Sequence, residues 1–285
     1  YYRRPIMKVK LIDQNLGDQP GLSMHIAPSH PFSKDVLNPD AVVFTDGMCY
    51  TGHPDEYDCT KVAWIIEPPI INGEIHSNMS KEENYSKFDY VCTYNRWLED
   101  KIPNFKFIPH AGTWLRLMDV GIHGKPKLCS MIFSHKDWNA SHRQRKRVFD
   151  MINGSSIDFV DFYGTGSPNP IDFKIDGLRD YMFSIAMENE APPYLFSPNT
   201  DYFSEKLIDC LLAGCIPIFY GNPTVLNYFN PDGIIVVTDP DQVVPALEKL
   251  SPDLYLSKLD AVKENFEIAR SYMNPEDIIY NLLNE

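Results

Sequence analysis

Nowhere in its 285 residues does the chain carry a CxxC pair, an HExxH group or any other ligand-spaced set of histidines and cysteines. Its six cysteines (Cys49, Cys59, Cys92, Cys129, Cys210, Cys215) follow no even framework, and its eight histidines are scattered. The pattern favours reduced, buried thiols over a disulfide scaffold or a thiolate zinc site. No run approaches the roughly 18–20 consecutive apolar residues of a membrane helix, and no charged segment followed by an apolar core opens the chain. The expectation is a soluble, cytoplasmic protein without an integral membrane segment. Met7 followed by KVKLID reads as a native start, which leaves YYRRPI as either an added remnant or the tail of a longer upstream region.

Positive charge is also scarce. Lys and Arg number 26 against 39 Asp and Glu, a net charge of −13, which argues against nucleic acid as a partner because phosphate neutralisation needs a basic surface. Any phosphate site must be local. No internal repeat or low-complexity tract points to a solenoid or a tail. Sequons at Asn78, Asn84, Asn139 and Asn153 carry no weight without secretion.

What is present is a folded composition, 44% hydrophobic and 13% aromatic, in a length that suits two domains of about 100–150 residues. Short β-rich apolar runs alternate with longer amphipathic stretches, the pattern of parallel strands joined by helical crossovers. Strands are expected at Val9–Ile12, Ala41–Thr45, Val62–Ile66, Tyr90–Thr93 and Lys106–Ile108. VGIHGKP, Val120–Pro126, reads as a linker, giving domains 1–122 and 123–285, with the last helix free to pack back on the first domain. The second half predicts strand Leu128–Phe133, helix Ser141–Ile152, strands Ile157–Tyr163 and Phe183–Met187, helix Phe203–Ala213 and strand Ile216–Tyr220. A short helix at Val225–Phe229, strand Ile234–Val237 and helices near 241–250, 252–271 and 275–284 follow. The fold class is α/β with doubly wound sheets, and such sheets bind ligands beyond the carboxyl ends of their strands.

Two segments fit that position. SHKDWNASHRQRKR, 134–147, follows a strand and opens a helix, and it concentrates Lys136, Arg143, Arg145, Lys146 and Arg147 in an otherwise acidic chain. Free N–H groups, the positive dipole end and arginine forks together suit a diphosphate; a solvated basic helix face is the plainer alternative. In DYFSEKLIDCLLAGCIPIFYG, Asp201 is placed to cap a helix, Leu207, Ile208, Leu211 and Leu212 form its buried face, and Gly214 supplies a left-handed stop. Glu205 and Lys206 then share the first turn. A carboxylate there can accept from sugar or ribose hydroxyls; a cation opposes the helix dipole, so something anionic beside Lys206 would account for it. A GxGxxG turn is missing, since Gly164-Thr165-Gly166 does not supply one, which excludes a nicotinamide oxidoreductase.

The span YMFSIAMEN…DYFSEKLIDCLLAGCIPIFYG, with the basic loop and the VDFYG strand end before it, closely resembles the donor-binding motif of the α-1,3-fucosyltransferases of glycosyltransferase family 10. That motif runs Tyr-Lys-Phe, Phe-Glu-Asn, Tyr-x-Thr/Ser-Glu-Lys and a Pro-containing strand ending in Gly. The resemblance covers residues 128–238 and implies a GT-B fold, two Rossmann-like doubly wound domains facing across a cleft. It further implies inverting transfer of fucose from GDP-fucose to a hydroxyl of a glycan acceptor. It would place Arg145 and Lys206 on the diphosphate, Asn189 on a phosphate, and Glu205 and Tyr202 on ribose or sugar, with Glu188 supporting the loop and Arg143 or Arg147 as substitutes for Arg145. Two departures bear on the sugar: Met187-Glu188-Asn189-Glu190 replaces Phe-Glu-Asn-Ser, and a longer APPYLFSPNT precedes Asp201. Another nucleotide sugar on the same fold, or a non-catalytic binding module, are the competing readings.

No cofactor is expected to be required and no metal ligands are assigned; at most Mn or Mg would stimulate, with charge offset by Arg145 and Lys206. The first domain resembles the family faintly, as an acceptor-binding domain would. There, in WIIEPPIING, Glu67 ends a strand before two prolines and is the candidate base by resemblance, against a turn carboxylate bonding local amides. Asp46, Glu74 and His110 are the fallbacks. Trp64, Trp97 and Trp114 could stack on sugars, although each is more often core.

Overall fold

A computed structural model describes residues 6–14, 16, 19, 21–137, 139–189 and 200–285. Apolar runs short enough for strands form two parallel sheets. In the first, β1 (Val9–Ile12), β2 (Ala41–Thr45), β3 (Thr60–Ile65), β4 (Tyr90–Thr93) and β5 (Phe105–Phe107) lie side by side in chain order. β2, AVVFT, is buried along its whole length, as a strand covered on both faces must be. Its crossovers hold the short helices α1 (Met48–Thr51), α2 (Pro69–Met79) and α3 (Glu82–Tyr85).

The second sheet runs β10-β9-β8-β6-β7, with β6 (Lys127–Ile132), β7 (Val160–Tyr163), β8 (Tyr181–Met187), β9 (Ile216–Tyr220) and β10 (Ile235–Val237). The chain moves from β6 outward to β7, then returns to the other side of β6 for β8. That reversal makes the carboxyl ends of β6 and β8 a topological switch point, where open α/β sheets leave a crevice. The helix α4 (Ala140–Asn153) leaves β6, and α5 (Glu205–Leu212) lies between β8 and β9. Beyond β10 come α6 (Val243–Leu247), α7 (Pro252–Ser257), α8 (Leu259–Arg270) and α9 (Pro275–Leu283).

Several expectations are corrected. The single helix expected over 252–271 is broken at Lys258, whose φ and ψ of −109° and 9° are not helical. The short helix expected at Val225–Phe229 is a 3-10 turn at Pro223–Asn227, capped by Asn222. Asp201 does not cap α5; Ser204 does, its Oγ accepting from the Lys206 amide. Asp201 instead joins the domains, accepting from Arg96 Nε at 2.5 Å and from the Tyr228 hydroxyl. Gly214 does take the left-handed conformation, φ +75°, and a side chain there would press on Ile122.

The last helix leaves the second sheet altogether. Ile279 and Tyr280 of α9 sit in the core of the first sheet with Val9, Leu11 and Trp64, and the Tyr280 hydroxyl accepts from the Met7 amide at 3.0 Å. Glu276 Oε1, in its first turn, accepts from the Leu22 amide. The helix that follows the second sheet thus completes the core of the first.

Candidate active site

The switch point opens into a cavity of about 500 Å3 between the two sheets. Leu22, Glu67, His110 and Trp114 line it from the first domain, and Lys136, His142, Arg145, Lys174, Asn189, Glu205 and Lys206 from the second.

α4 supplies the arginine. Ser141, His142, Arg145, Val148 and Ile152 form its buried stripe at helical spacing, and Asn139 caps it by accepting from the His142 amide at 2.9 Å. Arg145 is thereby turned inward, whereas Arg143 and Arg147 point to solvent, Arg147 paired with Asp241 at 2.6 Å. These two cannot stand in for Arg145. The Arg145 guanidinium donates to the Met187 carbonyl at 3.0 and 3.2 Å and to Asn189 Oδ1 at 2.5 Å. Burial lowers its proton affinity against the pull of Glu188 and Glu205.

α5 supplies the acid and the ammonium. Glu188, just past β8, accepts from the Ser204 amide at 2.8 Å and the Ser204 hydroxyl at 2.6 Å, so it fixes the start of the helix. Lys206 Nζ lies 2.8 Å from Glu205 Oε1 and 3.9 Å from Glu188 Oε2, and these carboxylates are the anions that offset its place at a helix start. Burial alone would raise Glu205, but Lys206 and Lys174 outweigh it and hold the carboxyl well below the usual range. It is an anion at any working pH.

Tyr202 does not line this cavity. Only 1% exposed, its ring packs on Tyr94 and His110 and braces the wall from behind. Beneath Glu205 lies a pair that sequence reading missed: Lys174 Nζ is 2.7 Å from Asp209 Oδ2 and 3.9 Å from Glu205 Oε1. Asp209 Oδ1 also accepts from Thr113 Oγ1 at 2.5 Å and from the Trp114 amide at 3.0 Å. Asp209 sits among the leucines of the α5 stripe, where its polarity was a signal of a buried partner; Lys174, at the start of a one-turn 3-10 helix, carried none.

Across the cleft, Glu67 is brought to face α5. Burial, with Asp46 and Glu205 adding to it against Lys206, pushes its carboxyl up to about 7. The fallbacks are placed less favourably. Glu74 is on the exposed face of α2. Asp46, pushed up to about 6 chiefly by burial, is 3% exposed and spends its Oδ1 on two backbone amides. His110 does reach the cleft, but burial drives it down to about 4, so it stays neutral and is a poor proton acceptor at neutral pH. Of the tryptophans, Trp64 is core, Trp97 lies under Lys101, and Trp114 opens on the cavity, 42% exposed, with Lys174 5.0 Å above its ring. The six cysteines are free thiols. Among the described residues no three His, Cys, Asp or Glu side chains are grouped to hold a metal ion, and no helix is long and apolar enough to cross a membrane. Glu190 and 191–199, where the chain departs from the motif, lie outside the described residues.

Residues 122–271 match the family model described as glycosyltransferase family 10 (fucosyltransferase), C-terminal part. Alpha-(1,3)-fucosyltransferase B of Drosophila melanogaster is 31% identical over 110 residues, 37% of this chain and 23% of that protein. Alpha-(1,3)-fucosyltransferase FucT of Helicobacter pylori is 28% identical over 130 residues, 40% of this chain and 25% of that protein. The chain therefore spans about a quarter of the length of these relatives. Among solved structures, an α1,3-fucosyltransferase with GDP superposes with a TM-score of 0.56 at 16% identity, covering 98% of this chain and 89% of the other. An α1,3-fucosyltransferase structure with GDP-fucose gives 0.55 at 15% identity, covering 95% of this chain and 90% of the other. At such identities the likeness is one of fold, the two-sheet GT-B arrangement.

Proposed function

The chain belongs to glycosyltransferase family 10, the fucosyltransferases, and from that premise we propose that it moves fucose from GDP-fucose to a hydroxyl of a glycan or glycoconjugate with inversion. Residues 123–285 hold the nucleotide sugar and 1–122 receive the acceptor. The observation that carries this reading is the placement of Arg145, Lys206 and Glu205 at the switch point, with Glu67 lining the same cavity from the other domain. The solved relatives named with GDP and GDP-fucose lend the choice of nucleotide its support.

In this mechanism the Glu67 carboxylate takes the acceptor proton as the hydroxyl oxygen bonds to the anomeric carbon. The bond from that carbon to the β-phosphate oxygen breaks on the opposite face, and GDP leaves. Lys206 and Arg145 offset the diphosphate charge, Asn189 contacts a phosphate, and Glu205, held ionised, accepts from ribose hydroxyls. Tyr202 keeps its part in the donor site as a brace for the wall. No metal or organic cofactor is required; a divalent ion at most stimulates.

The test is a thermal-shift panel of GDP, UDP, ADP, CMP and their sugars, with and without manganese. Ligand at about a hundred times its Kd stabilises the native state by roughly 2.7 kcal/mol, so GDP and GDP-fucose should raise the melting temperature by several degrees and the other nucleotides by less. A flat response to every nucleotide favours a module that has lost donor binding. The pH profile gives a second check. Because Glu67 must be ionised and its carboxyl sits near 7, kcat should climb with pH to a plateau above that value, and an anionic donor alongside would push the limb higher still. Glu67→Gln should lose about a hundredfold or more in kcat at pH 8; a variant as fast as the wild type removes Glu67 from the chemistry.

A further inference from the structure

We propose that Asp46 and His76 are positioning residues for Glu67, gripping the peptide that carries its side chain from both ends. The proposal rests on Glu67 as the base. Asp46 Oδ1 accepts from the Ile66 amide at 2.8 Å and the Glu67 amide at 3.1 Å, closing off the end of β3. At the other end of the residue the Glu67 carbonyl meets His76 Nε2 at 2.8 Å, and His76 Nδ1 meets Asn95 Nδ2 at 2.9 Å. An amide nitrogen only donates, so Nδ1 is the acceptor, Nε2 carries the hydrogen, and the imidazole has a single neutral tautomer. Burial lowers its proton affinity and keeps it that way.

Asp46, His76 and Asn95 are 3%, 4% and 3% exposed, and Asp46 stands at φ +43°, a left-handed conformation that a residue with a Cβ adopts at some cost. Capping two amides needs only a neutral acceptor. A buried carboxylate does more: its charge disfavours the ionised form of Glu67 and so makes that carboxylate a stronger base. The other charged groups facing Glu67 are Lys206 and Glu205 of α5, of which Lys206 works in the opposite sense. Asp46 itself faces Asp13 at the end of β1, and its charge bears on the Cys49 thiol of α1. Charge and geometry therefore act together on one side chain: the clamp aims it, and Asp46 sets how strongly it holds a proton.

Asp46→Asn keeps an acceptor for both amides and removes the charge. Its acid limb in the kcat profile should move to lower pH by about half a unit or more, with the GDP thermal shift and the donor KM unchanged. His76→Leu removes the donor to the Glu67 carbonyl and should lower kcat about tenfold or more at constant donor KM, because a small misplacement of a catalytic group is costly. His76→Gln, whose amide can still donate, should restore most of that loss. An unmoved acid limb in Asp46→Asn together with a His76→Leu kcat within twofold of wild type overturns the proposal. Should Asp46→Asn fail to fold, the His76 pair decides alone. Wild-type kcat in Glu67→Gln is a different failure, that of the base itself, and the positioning role falls with it.

Discussion

Alanine at Lys206 is expected to cut GDP-fucose turnover by about a hundredfold or more while leaving the fold in place. Its ammonium is the cation of α5 that can turn to a departing diphosphate, and it is only partly buried, with 21% of the side chain exposed. At a helix start it opposes the dipole, so the helix itself gains little from it. Without it, Lys174 still faces Glu205 and Ser204 still binds Glu188, so circular dichroism should be unchanged. Arg145→Ala should lower turnover comparably and cost more stability, because its guanidinium also ties α4 to the Met187 carbonyl and Asn189. Steady-state rates with GDP-fucose check both; wild-type rates in the two variants would remove the donor site from this cavity.

The largest stability effect is expected at Asp209, not at the chemistry. Asp209→Ala leaves Lys174 charged and nearly enclosed, with only the more distant Glu205 opposite it, and strips Thr113 and the Trp114 amide of their acceptor. Breaking one side of a buried pair costs about 3–5 kcal/mol. At roughly 2–4 °C per kcal/mol for a chain of this size, the melting temperature should fall by about 10 °C. The double change Lys174→Met with Asp209→Leu should lose much less, since no buried charge is left uncompensated. Equal losses in the single and double variants would show that packing, not charge, governs the site.

Much of this architecture could be read in the residues. β1, β2, β4 and β9 run where the apolar runs placed them; in β2 and β9, buried along their whole length, no polar interruption blurs the ends. The stripe on α4 is a 3.6-residue period, and the same period that buries Val148 and Ile152 selects Arg145 over Arg143 and Arg147, a choice that charge alone left open. Local reading failed where a partner lies far off in sequence. Asp201 has the chemistry of a cap, yet Arg96 and Tyr228 claim it. Lys174 meets Asp209 only once β8 and α5 have packed, and no spacing in the chain announces it. The break at Lys258 was hidden because apolar residues continue across it in helical phase.

The crossing of α9 onto the first sheet also orders the birth of the protein. Val9, Leu11 and Trp64 have been made long before Ile279 and Tyr280, the side chains that close their core, leave the ribosome. The first sheet therefore keeps an apolar face uncovered until α9 has been made, and the second sheet folds while that face is open. A chain cut just before α9 would be damaged at the first sheet, around Val9, Leu11 and Trp64, more than two hundred residues from the cut in sequence.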